Sequence, residues 1–208
     1  MYGIILFQVL LTAAVAVLFM YYEPLASHSG GPSSNRWFVY GLDLLMILTL
    51  LGCHIFKNEY PLNYLFLCAF TLSMAVIIGI ICSVYRSAGY EDLLLQALLY
   101  TGFIFSCLTV WTMQSRIRFD FSIVPLSTAL LLVIFAGIIA RAFRSPILYT
   151  VYAYCGSLVF MGYIVFDTYM ITQRLGYDDY IVAAIELYLD VINLFLYILQ
   201  FLSAVSRH

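Results

Sequence analysis

Charged residues are scarce in this sequence. Only 10% of its 208 residues are charged and 64% are hydrophobic, whereas an ordinary soluble domain carries roughly 25% charged residues. The mean hydropathy of +1.01 agrees with this imbalance. The composition excludes an ordinary soluble domain and predicts an integral membrane protein with the lipid bilayer as its main partner. The net charge of -2 leaves no basic surface for nucleic acid, so we expect no nucleic-acid partner.

Cofactor and metal motifs are missing as well. The sequence has neither a P-loop nor a dinucleotide-binding fingerprint. Its cysteines lie inside apolar runs, without the paired spacing of a zinc site or the loop positions of a disulfide framework. They are Cys53, Cys68, Cys82, Cys107 and Cys155. We therefore interpret the cysteines as small hydrophobic residues, and we expect no bound cofactor and no enzymatic activity.

Seven stretches are long and apolar enough to cross a bilayer as helices, because about 20 mostly apolar residues span its hydrocarbon core. They run approximately over residues 2–22, 37–56, 62–85, 93–113, 122–140, 147–172 and 180–203. All connections after the first are short, which makes consecutive helices antiparallel neighbours. The sequence therefore predicts an all-α integral membrane protein, in which residues 1–208 form a single seven-helix transmembrane domain.

The first span has a competing interpretation as a secretory signal, because Leu25, Ala26 and Ser27 resemble a small-residue cleavage site. However, no basic segment precedes its apolar run, and the run is longer than a signal peptide needs. We interpret it as a membrane helix. The positive-inside rule does not decide the topology, because Lys and Arg divide almost evenly between the two sides.

Acidic residues within the apolar spans are the natural candidates for function. The stretch IELYLDVINLFLYIL, residues 185–199, carries Glu186 and Asp190, and Asp167 lies within the span before it. An ionised side chain at the bilayer centre costs on the order of 3 kcal/mol by insertion scales. Such residues therefore usually face the interior of a bundle or a water-filled cavity.

Asp167 and Asp190 have matched positions in the last two spans. Asp167 lies 11 residues before Asp178, and Asp190 lies 11 residues after Asp179. An antiparallel hairpin that turns between Asp178 and Asp179 would place both at equal depth, roughly 10 to 15 Å into a core of about 30 Å. Two carboxyl groups facing each other there cannot both ionise cheaply. We therefore expect them to share a proton and to change charge with pH.

A polar stripe continues from this pair along the last span. Glu186, Asp190, Asn193 and Tyr197 recur at i, i+4, i+7 and i+11, which puts them on one face of a helix. Such a stripe could line a water path. A simpler alternative stays open, in which Asp167 and Asp190 share a proton, or hydrogen-bond to Asn193 and nearby tyrosines, only to fix the helix register.

The same residues resemble the signature of the Bax inhibitor/Lifeguard family, also called transmembrane Bax-inhibitor-motif proteins. The likeness is carried by LYLDVINLFLYIL in the last span and VFDTYMI in the span before it. YPLNYLFLCAFTLSMAVIIGIICSVY resembles the family's third span, TMQSRIRFDFS its fourth loop and MYGIILFQVLLTAAVAVLF its first span. The resemblance covers nearly the whole chain and is greatest to the Lifeguard branch, which includes the Golgi anti-apoptotic proteins and their viral relatives.

The resemblance implies six helices around a central seventh, calcium leak from internal stores and protection against cell death. It places the family's pH-sensing aspartate pair on Asp167 and Asp190, which would also be where a passing Ca²⁺ binds. In bacterial relatives a basic residue near the end of the second helix latches onto the pair, a role that His54 or Lys57 would take here. The implied compartment is the Golgi or the endoplasmic reticulum, with the plasma membrane as an alternative. Other membrane proteins of cell-death or calcium-release pathways are the implied partners.

The sequence departs from the family pattern in two places. It starts at Met1 directly in the first span, where relatives carry a polar, often Pro-rich segment, so we expect either a short form or a missing segment. Glu186 occupies a position where many relatives have Ser or Asn. The polar stripe is therefore more acidic here, which favours the attraction of cations.

Three other classes of function compete with an ion leak. An intramembrane aspartyl protease also places two aspartates on adjacent helices, but LYL precedes Asp190 where known proteases carry Gly-x-Gly. A seven-helix receptor fits the number of spans alone, and the NLFLY run at Asn193 lacks the proline of the receptor motif. A non-conducting membrane protein that restrains death signalling through other membrane proteins is the third alternative.

The favoured prediction is a pH-sensitive calcium leak channel of intracellular membranes with an anti-apoptotic role. Asp167 and Asp190 would gate it, and Glu186, Asn193 and Tyr197 would line it. Ca²⁺ is in this prediction the transported ion and not a cofactor.

Overall fold

The computed structural model of the protein describes residues 2–22, 36–57, 59–115, 123–173 and 180–206. These residues form seven α-helices and contain no strand. The helices are α1 (Tyr2–Tyr21), α2 (Arg36–Ile55), α3 (Leu62–Ser87), α4 (Glu91–Gln114), α5 (Ile123–Phe143), α6 (Pro146–Gln173) and α7 (Tyr180–Val205). Each helix occupies one of the predicted spans, and the boundaries agree to within a few residues.

Each of the seven described helices is long and apolar enough to cross a membrane. A helix of 20 residues is about 30 Å long, which is the thickness of the hydrocarbon core. Large apolar side chains such as Leu6, Phe103 and Leu132 are exposed on the outer faces, where a bilayer would cover them. The predicted fold class, an all-α integral membrane protein with seven transmembrane helices, is confirmed.

Exposed aromatic residues lie close to several helix ends. Tyr21 is the last residue of α1 and Tyr22 follows it, Trp37 lies in the first turn of α2, and Tyr60 precedes α3. Tyr and Trp are enriched at both surfaces of a bilayer, because their rings are apolar and their polar atoms reach the headgroups. These positions therefore fit helices that end at a membrane interface.

The chain groups into two compact units by its internal contacts. The first comprises Met1–Glu91 and Gly176–Tyr188, and the second comprises Asp92–Leu175 and Leu189–His208. Helix α7 thus contributes residues 180–188 to the first unit and the rest of its length to the second. It is also the most buried helix, with 61% of its most apolar 18-residue stretch buried, against 11% for α5. The single domain and the arrangement of six helices around α7 stay predictions.

In the first unit, α1 and α2 both pack against α3. A glycine allows the close approach at each contact. Gly79 of α3 lies under the ring of Phe19 of α1, where an added Cβ would come within 3.0 Å of that ring. Gly52 of α2 faces the ring of Phe66 of α3 in the same way. Small residues let membrane helices approach closely, so these positions fix how α1 and α2 meet α3.

The connection from α3 to α4 is a tight turn at Gly89. The Gly89 N–H donates to the Arg86 carbonyl (2.8 Å) and the Tyr90 N–H donates to the Tyr85 carbonyl (3.0 Å). This is the bonding pattern of a Schellman motif, which needs a left-handed residue after the helix. Gly89 supplies it with φ of +82°, at a torsion that costs glycine little. Helix α4 can therefore begin at Glu91 and reverse the direction of the chain.

Arg86 connects three helix ends in the first unit. From the last turn of α3 it donates a hydrogen bond to the carbonyl of Met20, near the end of α1, where helix carbonyls have no donor of their own. Its Nε is 2.5 Å from Oε1 of Glu91, the first residue of α4. Its guanidinium carbon lies 3.9 Å from the ring centre of Tyr21. This cluster fastens the end of α1 to the turn between α3 and α4.

In the second unit, α5 packs against α6, again through glycines. Tyr152 of α6 covers Gly137 of α5, and Leu126 of α5 contacts Gly162 of α6. On α4, Leu94, Ala97 and Thr101 are buried. Glycine contacts thus join α6 to α5 at two places, near Tyr152 and near Gly162. Other residues of α6 contact the second half of α7.

Candidate functional site

Asp190 lies ten residues into α7 and is 6% exposed. Leu187 and Leu194, about one turn to either side, are fully buried. Among the residues that the structure describes, Asp190 is the only buried Asp or Glu. A carboxyl group that is buried within a membrane helix is expensive to charge. Asp190 therefore has the burial that the sequence predicted for it.

The surroundings of Asp190 in the second unit include polar groups from α6. Asp167 is half-buried on α6, and Tyr163, one turn earlier, lies within electrostatic range of both Asp167 and Asp190. Ser127 of α5 is also close to Tyr163. One tyrosine of α6 thus has both carboxyl groups in its surroundings. The contact between the carboxyl groups themselves stays a prediction.

Ring contacts show how α6 and α7 run relative to each other. The rings of Phe160 and Tyr197 stack with centroids 5.5 Å apart, and each residue lies 18 positions from the predicted turn at Asp178–Asp179. A second contact joins Tyr154, which lies before Phe160, to Phe201, which lies after Tyr197, with ring centroids 5.9 Å apart. The two helices are therefore antiparallel. Equal depth of the two aspartates in the hairpin stays a prediction. The turn itself lies outside the described residues.

Tyr197 is fixed by several contacts with α6. A Cβ added to Gly156 would clash with the Tyr197 ring, so the ring occupies the space that a side chain at position 156 would need. The Tyr152 hydroxyl donates a hydrogen bond of 3.2 Å to the Tyr197 hydroxyl. The Tyr197 ring, part of the predicted stripe, is thus surrounded by Gly156, Phe160 and Tyr152. Tyr197 therefore combines a packed ring with a hydrogen-bonded hydroxyl.

The members of the predicted stripe differ in exposure. Glu186 is exposed, Asp190 is buried, and Asn193 and Tyr197 are half-buried. The amide of Asn193 donates to the carbonyl of Leu189 on its own helix (2.8 Å). The role of Glu186, Asn193 and Tyr197 as the lining of a pore stays a prediction.

The two candidates for the latch lie at the end of α2 in the first unit. His54 is exposed, and its Nδ1 is 3.1 Å from the carbonyl of Leu50 one turn earlier. Lys57 is half-buried, and its carbonyl accepts a hydrogen bond of 3.2 Å from the amide of Asn63. His54 therefore has a partner on its own helix. The latch to the aspartate pair stays a prediction for both residues.

A buried hydrogen-bond network in the first unit was missed by the sequence interpretation. Gln8 of α1 donates to the hydroxyl of Thr71 of α3 (3.0 Å), and the hydroxyls of Thr12 and Tyr188 are 2.7 Å apart. All four residues are at most 3% exposed. Polar side chains that bond between helices hold membrane bundles together. A sequence signal existed, since Gln8 and Thr12 lie one turn apart in an otherwise apolar span.

The described residues contain no group of three or more His, Cys, Asp or Glu side chains that could hold a metal ion. The two aspartates of the predicted site are a pair and do not form such a group. The residues that could contact a passing Ca²⁺ here are Asp167 and Asp190, whose carboxylate oxygens are the ligands that Ca²⁺ prefers.

The comparisons with known proteins cover the whole chain. Residues 1–207 match the family model Bax1-I, described as inhibitor of apoptosis-promoting Bax1. The chain is 36% identical to protein lifeguard 4 of Mus musculus over 206 residues, which are 99% of this chain and 84% of that protein.

Relatives in a virus and in a plant are similar over the same extent. The Golgi anti-apoptotic protein of Vaccinia virus (strain Lister) is 30% identical over 213 residues, covering 99% of this chain and 84% of the viral protein. Protein LIFEGUARD 3 of Arabidopsis thaliana is 33% identical over 210 residues, covering 99% of this chain and 83% of the plant protein. The resemblance identified from the sequence is confirmed by these matches.

Proposed function

The chain belongs to the family of inhibitors of apoptosis-promoting Bax1, and on that premise we propose that it is a pH-sensitive calcium leak channel that suppresses cell death. Family membership and the names of its relatives, lifeguard and Golgi anti-apoptotic protein, support an anti-apoptotic role. The viral relative's name also supports the Golgi as the compartment, with the endoplasmic reticulum and plasma membrane as alternatives. The role is not enzymatic.

The observation that carries the proposal is the burial of Asp190 within α7. A carboxyl group that is 6% exposed in a membrane helix costs stability whenever it is charged. A structural role would be filled at lower cost by an amide or a hydroxyl. Tyr163, in range of both aspartates, supplies a polar neighbour for the protonated state. The arrangement therefore suits a group that changes charge in the course of its function.

The proposed gate works through the proton on the pair. With one proton shared, Asp167 and Asp190 attract each other and keep α6 and α7 together. Loss of that proton adds repulsion, and a buried negative charge needs a cation as partner. His54 or Lys57 would be that partner in one state and a passing Ca²⁺ in the other. Glu186, exposed one turn before Asp190, adds negative charge that attracts cations towards the pair.

Calcium flux into proteoliposomes that contain the purified protein tests this proposal. The flux is measured at about pH 6 and about pH 8, on either side of the neutral range in which a switch would be useful. We expect Asp190→Asn to change both the size of the leak and its dependence on pH, because the amide cannot ionise. An Asp190→Asn leak equal to wild type at both pH values would contradict the proposed gate.

The matched control is Asp92→Asn, which makes the same chemical change at an exposed position in the first turn of α4. Its leak should equal that of the wild type. Glu91 is less suitable as a control, because its carboxylate is paired with Arg86. A leak that changes equally in Asp92→Asn and Asp190→Asn would mean that surface charge, and not the buried pair, controls the flux.

A non-conducting role remains the alternative, because the anti-apoptotic role does not require conduction. Protein that carries no calcium across a tight bilayer at either pH, yet still protects cells, would favour an interaction protein that restrains death signalling. The survival of cells that express Asp190→Asn separates the two roles. If the leak protects cells, this variant should change protection in step with calcium flux, whereas an interaction protein should protect independently of the flux.

A further inference from the structure

The Thr12–Tyr188 contact has a definite hydrogen-bond direction. The hydroxyl of Thr12 donates its proton to the carbonyl of Gln8 (2.8 Å), and a hydroxyl has one proton to give. The 2.7 Å contact with Tyr188 must therefore be donated by the Tyr188 hydroxyl. Donation runs from Tyr188 of α7 to Thr12 and on to the backbone of α1.

Tyr188 is enclosed on the side that makes this bond. It is fully buried, and its ring meets the ring of Phe70 of α3 edge to face, with centroids 6.2 Å apart. Away from water, a tyrosine hydroxyl that leaves Thr12 would have to find another acceptor or remain unpaired. The bond and the ring contact together fix the rotation of the first half of α7 relative to α1 and α3.

Asp190 follows Tyr188 by two residues on the same helix. Two residues correspond to a turn of about 200°, so the two side chains leave α7 on opposite faces. Between these residues α7 is continuous helix, with both inside Tyr180–Val205. A rotation of α7 that changes the surroundings of Asp190 must therefore also move Tyr188 away from Thr12.

We infer that Tyr188 is a positioning residue for Asp190: its hydrogen bond to Thr12 holds α7 in the orientation that buries the carboxyl group, and opening the leak breaks this bond. The inference rests on the proposed calcium leak and adds the element that holds its closed state. Asp167 and Tyr163 of α6 are titratable groups that belong to the second unit with Asp190, and neither is part of the Thr12–Tyr188 bond. The hydrogen bond that orients α7 is thus made by Thr12 and Tyr188, whereas the groups that change charge are Asp167 and Asp190.

Two substitutions remove the bond with little change in shape, Tyr188→Phe from α7 and Thr12→Val from α1. Each should raise the calcium leak of proteoliposomes at neutral pH by about threefold to tenfold, the range expected for one hydrogen bond between membrane helices. Each should also move the pH midpoint of the protonated carboxyl band, followed by infrared difference spectroscopy, by about half a unit to one unit. The midpoint moves to lower pH because a freed α7 lets the ionised carboxylate reach water.

Two further variants are the controls. Thr12→Ser keeps the hydroxyl and should restore the wild-type leak and midpoint. Tyr180→Phe removes another hydroxyl contact of α7, the 2.9 Å contact with Tyr64 at the exposed start of the helix, and should leave both quantities unchanged. In the double variant Thr12→Val with Tyr188→Phe, the effect should be no larger than in either single variant, because both remove the same bond.

The outcomes separate this inference from the proposed function. A wild-type protein without a protonated carboxyl band or a calcium leak would defeat the proposed function. A wild-type protein that has both, with Tyr188→Phe and Thr12→Val matching it in leak and midpoint, would overturn the inference alone. Failure of both variants to fold would assign the bond to stability only and would likewise overturn it.

Discussion

Phe160 of α6 and Tyr197 of α7 stack at a centroid distance of 5.5 Å with their planes 27° apart. The two residues are equally far along the chain from the predicted turn between Asp178 and Asp179. Asp167 and Asp190 are also equally far from that turn. Because both helices rise by about 1.5 Å per residue, helices that are level at Phe160 and Tyr197 would also be level at the two aspartates, seven residues nearer the turn.

The first prediction is that Asp167 and Asp190 lie within hydrogen-bonding or one-water distance in the closed state. Cysteines introduced at both positions, in a variant whose five native cysteines are replaced, should form a disulfide on mild oxidation, because a disulfide needs Cα atoms less than about 7 Å apart. A cysteine pair at Phe160 and Asp190 is the control and should not cross-link. Carboxyl groups found more than about 10 Å apart in an experimental structure, beyond one-water reach, would refute the predicted pair.

The second prediction separates a sensor from a structural bond. The wild-type protein should show a protonated carboxyl band in the infrared between about pH 5 and pH 8, because a buried pair of carboxyl groups retains a proton. Asp167→Asn keeps the shape and the hydrogen-bonding capacity of the side chain but cannot ionise. A sensor loses its titration in this variant, whereas a structural bond leaves a folded protein with nearly normal behaviour. Absence of the band in the wild type over this range would exclude a shared proton.

The third prediction concerns the space under Tyr197. Gly156→Ala should destabilise the folded protein by about 1 to 3 kcal/mol, because the added methyl group meets the Tyr197 ring and the ring is confined by Phe160. The measurement is the midpoint of unfolding as SDS is added to the protein in mild detergent. The leak should change as well if Tyr197 lines the path.

Gly102 provides the matched control for this substitution. It lies inside α4, and nothing is within 4 Å of an added Cβ. Gly102→Ala should therefore be neutral or stabilising by up to about 1 kcal/mol, the difference in helix propensity between Gly and Ala. Equal destabilisation by both substitutions would show that the Tyr197 contact is not the cause.

The fourth prediction concerns Gln8, whose amide is buried in the network of the first unit. Its nitrogen donates to Thr71, while its oxygen, in the described structure, accepts no hydrogen bond. Gln8→Met loses one bond and also removes a buried acceptor, and these effects are of similar size. Its stability should stay within about 1 kcal/mol of the wild type, since Thr71 keeps its own bond to the Leu67 carbonyl. Gln8→Ala should lose about 2 to 3 kcal/mol through the cavity it leaves, and equal losses in the two variants would contradict this account.

The sequence predicted the number, type and limits of the helices because a membrane helix satisfies its own backbone and needs only a long apolar run. The glycines that bring helices together could not be predicted in this way. Gly52, Gly79 and Gly137 each receive an aromatic ring from a neighbouring helix, and apolar composition does not specify which ring meets which glycine. Such contacts depend on packing between segments far apart in the chain.

The buried acid was predicted correctly at Asp190, because a carboxyl group in an apolar helix is costly and therefore informative. Glu186 lies on the same predicted stripe but is exposed, since neighbouring helices cover only part of a helix face. Helical spacing gives the direction of a side chain but not the cover over it. The Thr12–Tyr188 bond was missed for a related reason. Threonine and tyrosine are common in membrane helices, and the sequence does not show which threonine contacts which tyrosine.

The separation of Thr12 and Tyr188 by 176 residues also orders the biosynthesis of the first unit. At about 5 to 20 residues per second, a ribosome needs roughly 10 to 35 s between them. The bond from the Thr12 hydroxyl to the Gln8 carbonyl lies within one helix, so we expect it to form as soon as α1 is helical and to keep the hydroxyl paired during this interval. The Gln8 amide gains its partner earlier, once Thr71 has been inserted 63 residues later. We therefore expect α1 and α3 to pair during translation and Tyr188 of α7 to dock last. The Asp190 carboxyl group would then enter the bilayer when the Thr12 hydroxyl that anchors its helix is already in place.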